Sequence, residues 1–248
     1  FNFSDEKFKK YMLPLKRSNI LNYIIIAMQR ANINKINIVI GENTEKDLIL
    51  SSFNDFVKKT ELLTTKLSFI ENCNPERENG YSLYLGSRDI TSDYFILSMA
   101  DHVFSENIYS ILKKYSNYED ILLATDPMKI KGIYDLKDCT KVFGQNNNIV
   151  KLGKKIPDYN RLDMGVFMMK TKVIKELSAR IERENQNFGV SDVVLLAIRL
   201  QYNVAYHDFP NTIWLDIDND LEYEKLTNLI YKSPKFRPFD LNMENIID

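Results

Sequence analysis

The sequence contains few of the residues that build disulfide-linked or metal-centred proteins. Its 248 residues include 2 cysteines and 2 histidines, and neither Cys73 nor Cys139 belongs to a CxxC pattern. This scarcity argues against a disulfide framework, a structural zinc site and a multi-histidine metal centre. It fits a reducing compartment, and we therefore expect a cytoplasmic protein.

Glycine is scarce as well, with 8 residues spread along the chain. The phosphate-binding loops of P-loop proteins and dinucleotide-binding domains need closely spaced glycines, and neither fingerprint occurs here. Doubly wound sheets usually open with a strand and a Gly-rich turn. This chain opens instead on a charged, aromatic segment, residues 1–16, which we predict to be a loop because Pro14 disfavours a long helix.

The chain has neither an excess of charge of one sign nor a long apolar run. Its formal net charge is -1, so no whole-protein field favours nucleic acid or a membrane surface. No apolar run reaches transmembrane length, and the first residues do not follow a signal-peptide pattern. We expect no nucleic-acid partner and no membrane segment in this chain.

Hydrophobic periodicity predicts alternating helices and strands over the first half of the chain. Helices are expected at residues 20–32, 44–59, 80–88 and 105–115, and strands at 35–40, 66–71 and 94–99. Ser18 and Ser105 are the expected N-caps of the first and last of these helices. This alternation predicts a mostly parallel sheet with helices on both faces.

From residue 120 onward, short strands joined by turn residues predict an antiparallel or mixed extension of the sheet. Strands are expected at residues 121–126, 139–145, 148–153, 161–169, 203–209 and 212–216, and helices at 171–185, 190–200 and 219–231. No linker or break in composition divides the chain. We therefore predict a single α/β domain over residues 1–248, with a core at about 8–230 and a tail at 232–248.

One acid, Asp101, follows the apolar strand in the segment FILSMADHVF. Ligands of open α/β sheets bind outside the carboxyl ends of the strands. An acid at that position is suited to hold a metal ion against phosphate oxygens. The simpler interpretation is an aspartate of a strand-to-helix turn, which is equally compatible with the pattern.

Two further acids, Asp216 and Asp218, alternate in the segment WLDID and should face the same side of a short strand. Together with Asp101 they would suit Mg²⁺, which is held by one or two carboxylates plus substrate phosphates. Asp218 has an alternative role as the cap of the helix that begins at Asn219.

Three other segments carry polar groups that suit phosphate or nucleobase binding. Lys9 and Lys10 precede an apolar turn in FKKYMLPL, although exposed lysines are usually only solvated. The loop NCNPERENGYSLYLG, 72–86, could read a nucleobase edge or simply cap a helix at Asn79. The segment KLGKKIPDYNRLDMGVF, 151–167, places lysines ahead of Asp163 and Gly165, and its simpler interpretation is a basic hairpin.

The order of these segments resembles the nucleotidyltransferase superfamily that activates sugar phosphates. KYMLPLKRSNILNYII is similar to the Lys-x-Leu-Leu-Pro segment of that family and the helix after it. MADHVFS resembles the form found in cytidylyltransferases that act on inositol 1-phosphate, and ENGYSLYLG and WLDIDNDLEYEK resemble the same group. The resemblance extends over about residues 8–230 and implies the three-layer fold with a Rossmann-like mixed sheet of that family.

The resemblance implies roles for residues that bind the nucleotide and the metal. Lys10 would steady the α-phosphate and act as a catalytic residue together with Asp101 and Asp216. Those two acids would hold Mg²⁺, with Asp218 as an alternative or additional ligand. The residues expected near the base are Asn79, Gly80 and Ser82.

For the acceptor, the resemblance implies that Lys154 binds the phosphate and that Asp163 and Gly165 contact the ring. The implied partners are CTP and a small phosphorylated acceptor, and a homodimer is compatible with the family. The implied reaction is attack by the acceptor phosphate on the α-phosphorus of CTP, which releases pyrophosphate and gives a CDP-linked polyol. The alternatives are transfer to another sugar phosphate or to choline phosphate, and an inactive nucleotide-binding module.

The chain departs from the family pattern at its start. The central first strand and the Gly-x-Gly loop of the family would precede Phe1. Without that strand, two strand edges in the middle of the sheet would keep unpaired N–H and C=O groups. We therefore expect the native polypeptide to have further residues ahead of Phe1.

Overall fold

The structure is a computed structural model that describes residues 9–41, 43–60, 65–115, 119–128, 136–232 and 236–240. Its helices are α1 (Ile20–Arg30), α2 (Asn43–Thr60), α3 (Asn79–Ser87), α4 (Ile108–Leu112), α5 (Thr171–Glu184), α6 (Val190–Arg199) and α7 (Asp220–Lys232). Its strands are β1 (Pro14–Leu15), β2 (Ser18–Asn19), β3 (Lys35–Ile40), β4 (Lys66–Glu71), β5 (Tyr94–Ser98), β6 (His102–Phe104), β7 (Ile121–Asp126), β8 (Lys141–Gln145), β9 (Asn148–Gly153), β10 (Arg161–Lys170), β11 (Val204–Asp208) and β12 (Trp214–Asp216). Of the helices in these ranges, none has the length and hydropathy needed to cross a bilayer. Residues 1–8 of the predicted opening loop and most of the predicted tail lie outside the described residues.

The predicted N-caps of α1 and α4 are wrong by one and two residues. Asn19 caps α1, because its Oδ1 accepts a hydrogen bond from Asn22 N at 2.9 Å. Asn107 caps α4 in the same way. The hydroxyl of Ser105 instead accepts a bond from Ile213 N at 2.9 Å, so it serves a distant backbone group rather than the helix.

The largest sheet has six strands in the order β5-β10-β7-β11-β9-β8. β7 and β11 are parallel, whereas β10 is antiparallel to both β5 and β7, so the sheet is mixed. Successive residues of β7 alternate between two cores. Ile121 and Leu123 pack with α5 and α6, and Leu122 and Ala124 pack with α1 and α4. This alternation builds the predicted three layers.

The parallel strands β3 and β4 form a separate pair. Among the described residues, β3 pairs with β4 alone and β5 pairs with β10 alone. A cavity of about 780 Å³ lies between β3 and β5, and it is also lined by α1 and α3. Within the described ranges, β3 and β5 therefore each have one unpaired edge, and both strands line this cavity.

A short antiparallel pair, β6 and β12, was not predicted as such and lies beside the end of β5. Its register sets Trp214 opposite Phe104 and Asp216 opposite His102. Trp214 and Phe104 are buried in the same core as α1. The pair therefore anchors the segment after Asp101 and the segment around Asp216 to one another.

Candidate functional site

The site lies at the carboxyl end of β5, where two acids meet. Asp101 follows this strand and directly precedes β6, while Asp216 is the last residue of β12. Because β6 and β12 are paired, ligand atoms of Asp101, His102 and Asp216 lie within 4.8 Å of one another. The two acids proposed as metal ligands are thus brought together.

Lys10 adds a positive charge from the short 3₁₀ turn Lys10–Met12. Its ammonium forms an ion pair with Asp218 Oδ1. Partial burial lowers the pKa of Lys10, but Asp218 and then the more distant Asp101 and Asp216 raise that pKa by more. Lys10 is therefore held in its charged form beside three carboxylates.

The alternative role of Asp218 as a helix cap is wrong. Asn219 caps α7, because its Oδ1 accepts a hydrogen bond from Glu222 N at 3.1 Å. The predicted alternation of the two acids along one strand is also wrong, since β12 ends at Asp216. Asp218 lies beyond the strand end, and its carboxylate contacts Lys10 instead.

The two acids at the centre of the site differ in their electrostatics. Burial raises the pKa of Asp101, but the hydrogen bond from His102 and the charges of His102 and Lys10 bring it below its ordinary value. Burial raises the pKa of Asp216, and although His102 opposes this, the charges of Asp101 and Asp218 reinforce it. A cation bound here would relieve the crowding of negative charge around Asp216.

These residues fit a hard divalent cation. Within the described part of the chain, Asp216 Oδ1 is a buried oxygen that has no hydrogen-bond partner. Carboxylate oxygens are the ligands that Mg²⁺ prefers. Asp101 and Asp216 are the residues placed to hold it, and Asp218 adds a third carboxylate nearby.

We predict that the pKa of His102 lies above the ordinary histidine value of 6.5 and that the pKa of His207 lies below it. Burial lowers the pKa of His102, but Asp101, Asp216 and Asp163 raise it by more, to about 9. Burial lowers the pKa of His207 below 6.5. Because the chain has 2 histidines, NMR of the metal-free protein labelled at histidine resolves both titrations.

The sign of the His102 shift also predicts a dependence of stability on pH. Since the folded-state pKa is raised, the contribution of His102 to the free energy of unfolding is complete below pH 6.5 and is lost as the pH rises through about 9. Asp101→Asn should move the His102 titration toward lower pH. Titration of His102 near 6.5 in the wild type would contradict the described contact with Asp101.

The three residues expected near the base lie together in the first turns of α3. Asn79 and Ser82 line the cavity between β3 and β5. Asn79 Oδ1 accepts a hydrogen bond from Val190 N at 2.9 Å, so this side chain holds the start of α6. A Cβ at Gly80 would lie 2.4 Å from the ring of Phe188, and this close approach explains the glycine.

Of the residues expected to bind the acceptor, Asp163 and Gly165 reach the site and Lys154 does not. Lys154 is exposed in the turn after β9, and no contact between its side chain and the acids is found among the described residues. Asp163 and Gly165 lie in β10 and reach the site, where a Cβ at Gly165 would lie 2.8 Å from His102. Burial raises the pKa of Asp163 to about 6.

Known proteins resemble this chain in both sequence and fold. No protein-family model matches it. It is 28% identical over 144 residues to a bifunctional IPC transferase and DIPP synthase of Archaeoglobus fulgidus, a match covering 58% of the chain and 26% of that protein. It is 24% identical over 229 residues to the protein of the same name from Aquifex aeolicus, covering 92% and 48%.

The solved structure of the inositol-1-phosphate CTP transferase from T. maritima superposes with a TM-score of 0.73. The match covers 92% of this chain and 90% of that one, at 24% identity. The chain has the nucleotidyltransferase fold. The resemblance and the three-layer mixed sheet that the sequence analysis predicted are thereby confirmed. The chain spans less than half the length of the two curated relatives.

His102 is a residue of this candidate site that its sequence context did not reveal. Its ring contacts both acids, with Nδ1 at 2.9 Å from Asp101 Oδ1 and 3.6 Å from Asp216 Oδ1. The available signal was its position directly after Asp101 in a chain that has 2 histidines. The contact with Asp216 depends on the pairing of β6 with β12, which local periodicity does not reveal.

Proposed function

We propose that this chain is a Mg²⁺-dependent cytidylyltransferase that transfers a cytidylyl group from CTP to a phosphorylated polyol, inositol 1-phosphate foremost. The observation that carries the proposal is the meeting of Lys10, Asp101 and Asp216 at the carboxyl end of β5. The names of the relatives support the choice of cytidine and of inositol phosphate. The scarcity of cysteine supports a cytoplasmic location.

In the proposed reaction, an oxygen of the acceptor phosphate forms a bond with the α-phosphorus of CTP. The bond from that phosphorus to the β-phosphate oxygen breaks, and pyrophosphate leaves with the bonding electrons. Such a transfer depends on positioning and on neutralisation of charge, and it requires no nucleophilic side chain. The charged Lys10 would contact the α-phosphate.

Asp101 and Asp216 would hold Mg²⁺, which when bound supplies positive charge to the phosphate oxygens. The proposed contacts to the base come from Asn79 and Ser82, in the first turns of α3. Gly80 would contribute the close packing of α3 against Phe188.

Lys154 is the proposed ligand of the acceptor phosphate, and Asp163 and Gly165 would lie near the acceptor ring. Lys154 is exposed and Asp163 is close to His102, so this assignment requires an acceptor that spans the space between them. A second basic residue, Lys155, is exposed beside Lys154 and offers the same charge.

The specificity is tested by measuring pyrophosphate release with each of the four nucleoside triphosphates and a panel of acceptors. The panel contains inositol 1-phosphate, glucose 1-phosphate, glycerol 3-phosphate and choline phosphate. We expect CTP with inositol 1-phosphate to give a kcat/KM at least about tenfold higher than any other pair, corresponding to about 1.4 kcal/mol of discrimination.

Turnover with UTP or GTP in the absence of turnover with CTP would contradict the cytidine assignment. Turnover of CTP with choline phosphate or a hexose phosphate alone would favour the alternative acceptors. Binding of CTP without turnover of any acceptor would favour an inactive nucleotide-binding module. Chromatography with light scattering on the same sample tests for a homodimer.

A further inference from the structure

We infer that His102 is a positioning residue that sets the orientation of Asp101 beside Asp216. The inference rests on the proposed function, because it concerns the carboxylates proposed to hold Mg²⁺. It assigns to His102 neither a contact with the substrates nor a transfer of protons. Three features of the described structure carry it.

The first feature is the confinement of the His102 ring on two sides. The ring stacks on Trp214, with centroids 5.8 Å apart and planes inclined by 17°. Trp214 is itself fixed, since its Nε1 donates to Asp126 Oδ2 at 3.0 Å. On another side, the ring occupies the space that a side chain at Gly165 would need, because a Cβ there would lie 2.8 Å from Cδ2 and Nε2. His102 therefore has little freedom to rotate.

The second feature is a bulge in β10 that creates the space for this ring. The pairing of β10 with β7 changes register between Asp163 and Phe167. Within the bulge, Gly165 has a φ of 71°, a value that disfavours other residues, and its N–H donates to Asp163 Oδ1 at 2.7 Å. Asp163 and Gly165 thus have a structural role in supporting His102, alongside any contact they make with an acceptor.

The bulge is also connected to the strand that leads to Asp101. Met99 N, which directly follows β5, donates to Gly165 O at 3.0 Å. This hydrogen bond joins the backbone that makes room for the ring to the backbone that leads to Asp101.

The third feature is the direction of the ring nitrogen Nδ1, which faces both acids. It forms a hydrogen bond with Asp101 Oδ1 at 2.9 Å and lies 3.6 Å from Asp216 Oδ1, which is beyond hydrogen-bond distance. A donor that engages one oxygen of a carboxylate fixes its rotation and leaves the other oxygen for a ligand. In other metal sites, loss of a residue that hydrogen-bonds a metal ligand typically weakens metal binding by about 10- to 100-fold.

The inference is tested by measuring the binding of Mn²⁺, a paramagnetic substitute for Mg²⁺, by electron paramagnetic resonance. His102→Phe keeps an aromatic ring beside Trp214 but removes the donor, and we expect it to weaken Mn²⁺ binding by about 10-fold or more. His102→Asn restores a donor near the position of Nδ1, and we expect it to recover part of the affinity. These titrations are made with and without CTP.

Leu177→Ala is the control for lost stability. Leu177 lies in α5 and is buried in the core that does not contain Trp214. This variant should lower the melting temperature while the dissociation constant for Mn²⁺ stays unchanged. If the role of His102 were purely structural, His102→Phe would also lower the melting temperature and leave the dissociation constant for Mn²⁺ unchanged.

The possible results separate the inference from the proposed function. Equal affinity for Mn²⁺ in the wild type and His102→Phe would overturn the positioning role and leave the metal site intact. Equal loss in His102→Phe and His102→Asn would also overturn it, because the restored donor would then have no effect. Absence of Mn²⁺ binding by the wild type, with and without CTP, would overturn the metal site and the inference together.

Discussion

Replacement of Asp101 by asparagine is expected to reduce kcat for pyrophosphate release by about 10²–10³-fold, the scale seen when one electrostatic contact to a developing charge is removed. The substitution keeps the size of the side chain and removes its negative charge. The carboxylate of Asp101 is held ionised by His102 and Lys10, so the wild type presents a full charge at this position. The loss should appear in kcat measured at saturating CTP and Mg²⁺.

The matched control is Asp47→Asn, which makes the same chemical change at an exposed position of α2. It should leave kcat within about twofold of the wild type, as expected for a surface substitution away from the site. Circular dichroism and thermal unfolding of both variants establish that they are folded. Wild-type turnover by a folded Asp101→Asn variant would remove Asp101 from the mechanism.

The helices and strands were predictable because each carries a local pattern of apolar residues. In β7, residues on alternate positions enter different cores, so both faces are buried and the strand reads as a short apolar run. Errors arose where neighbouring polar residues compete for one role. Asn19 rather than Ser18 caps α1, since a cap depends on which side chain reaches the free N–H groups.

The site was predictable in part. The position of Asp101 after β5 and the order of the other motifs were sufficient to group it with Lys10 and Asp216. The role of an individual residue was not predictable where that role depends on a contact between distant segments. Gly80 faces Phe188 and Gly165 faces His102, and neither contact leaves a local pattern in the sequence. The pairing of β6 with β12 involves strands of three residues, too short to show a period.

An apolar strand attached ahead of Phe1 is expected to stabilise the chain more than any other change considered for this protein. The cavity between β3 and β5 has a volume of about 780 Å³ and is lined largely by apolar side chains of both strands and of α1. Its two flanking strands each have one edge that is unpaired among the described residues. A segment placed between them would gain backbone hydrogen bonds on both sides.

The first described residues lie at the end of the cavity where such a strand would leave it. Lys9 Nζ pairs with Glu45 Oε1 at 2.8 Å, and Glu45 lies against Gly41, which directly follows β3. Lys10 reaches the acids beyond the end of β5. The chain thus starts its described course between the carboxyl ends of the two strands. A strand placed in the cavity parallel to both would therefore end near Lys9.

The experiment compares the 248-residue chain with one that carries six apolar β-branched residues joined to Phe1. Burial of about four such side chains contributes about 1.5–3 kcal/mol each, and ordering the segment costs about 1–2 kcal/mol per residue. These two terms nearly cancel, and about six backbone hydrogen bonds contribute about 0.5–1.5 kcal/mol each, so we expect a net stabilisation of about 3 kcal/mol, the low end of that sum. For a chain of this size that corresponds to a rise in melting temperature of roughly 6–12 °C.

A second extended chain, with proline at the two central positions of the added segment, is the matched control. Proline removes backbone donors that a central strand needs, so this variant should melt close to the 248-residue chain. Hydrogen exchange should slow at the amides of β3 and β5 in the first variant alone. Equal melting temperatures in all three chains would mean that the cavity does not accept a strand, and the two unpaired edges would then require another partner.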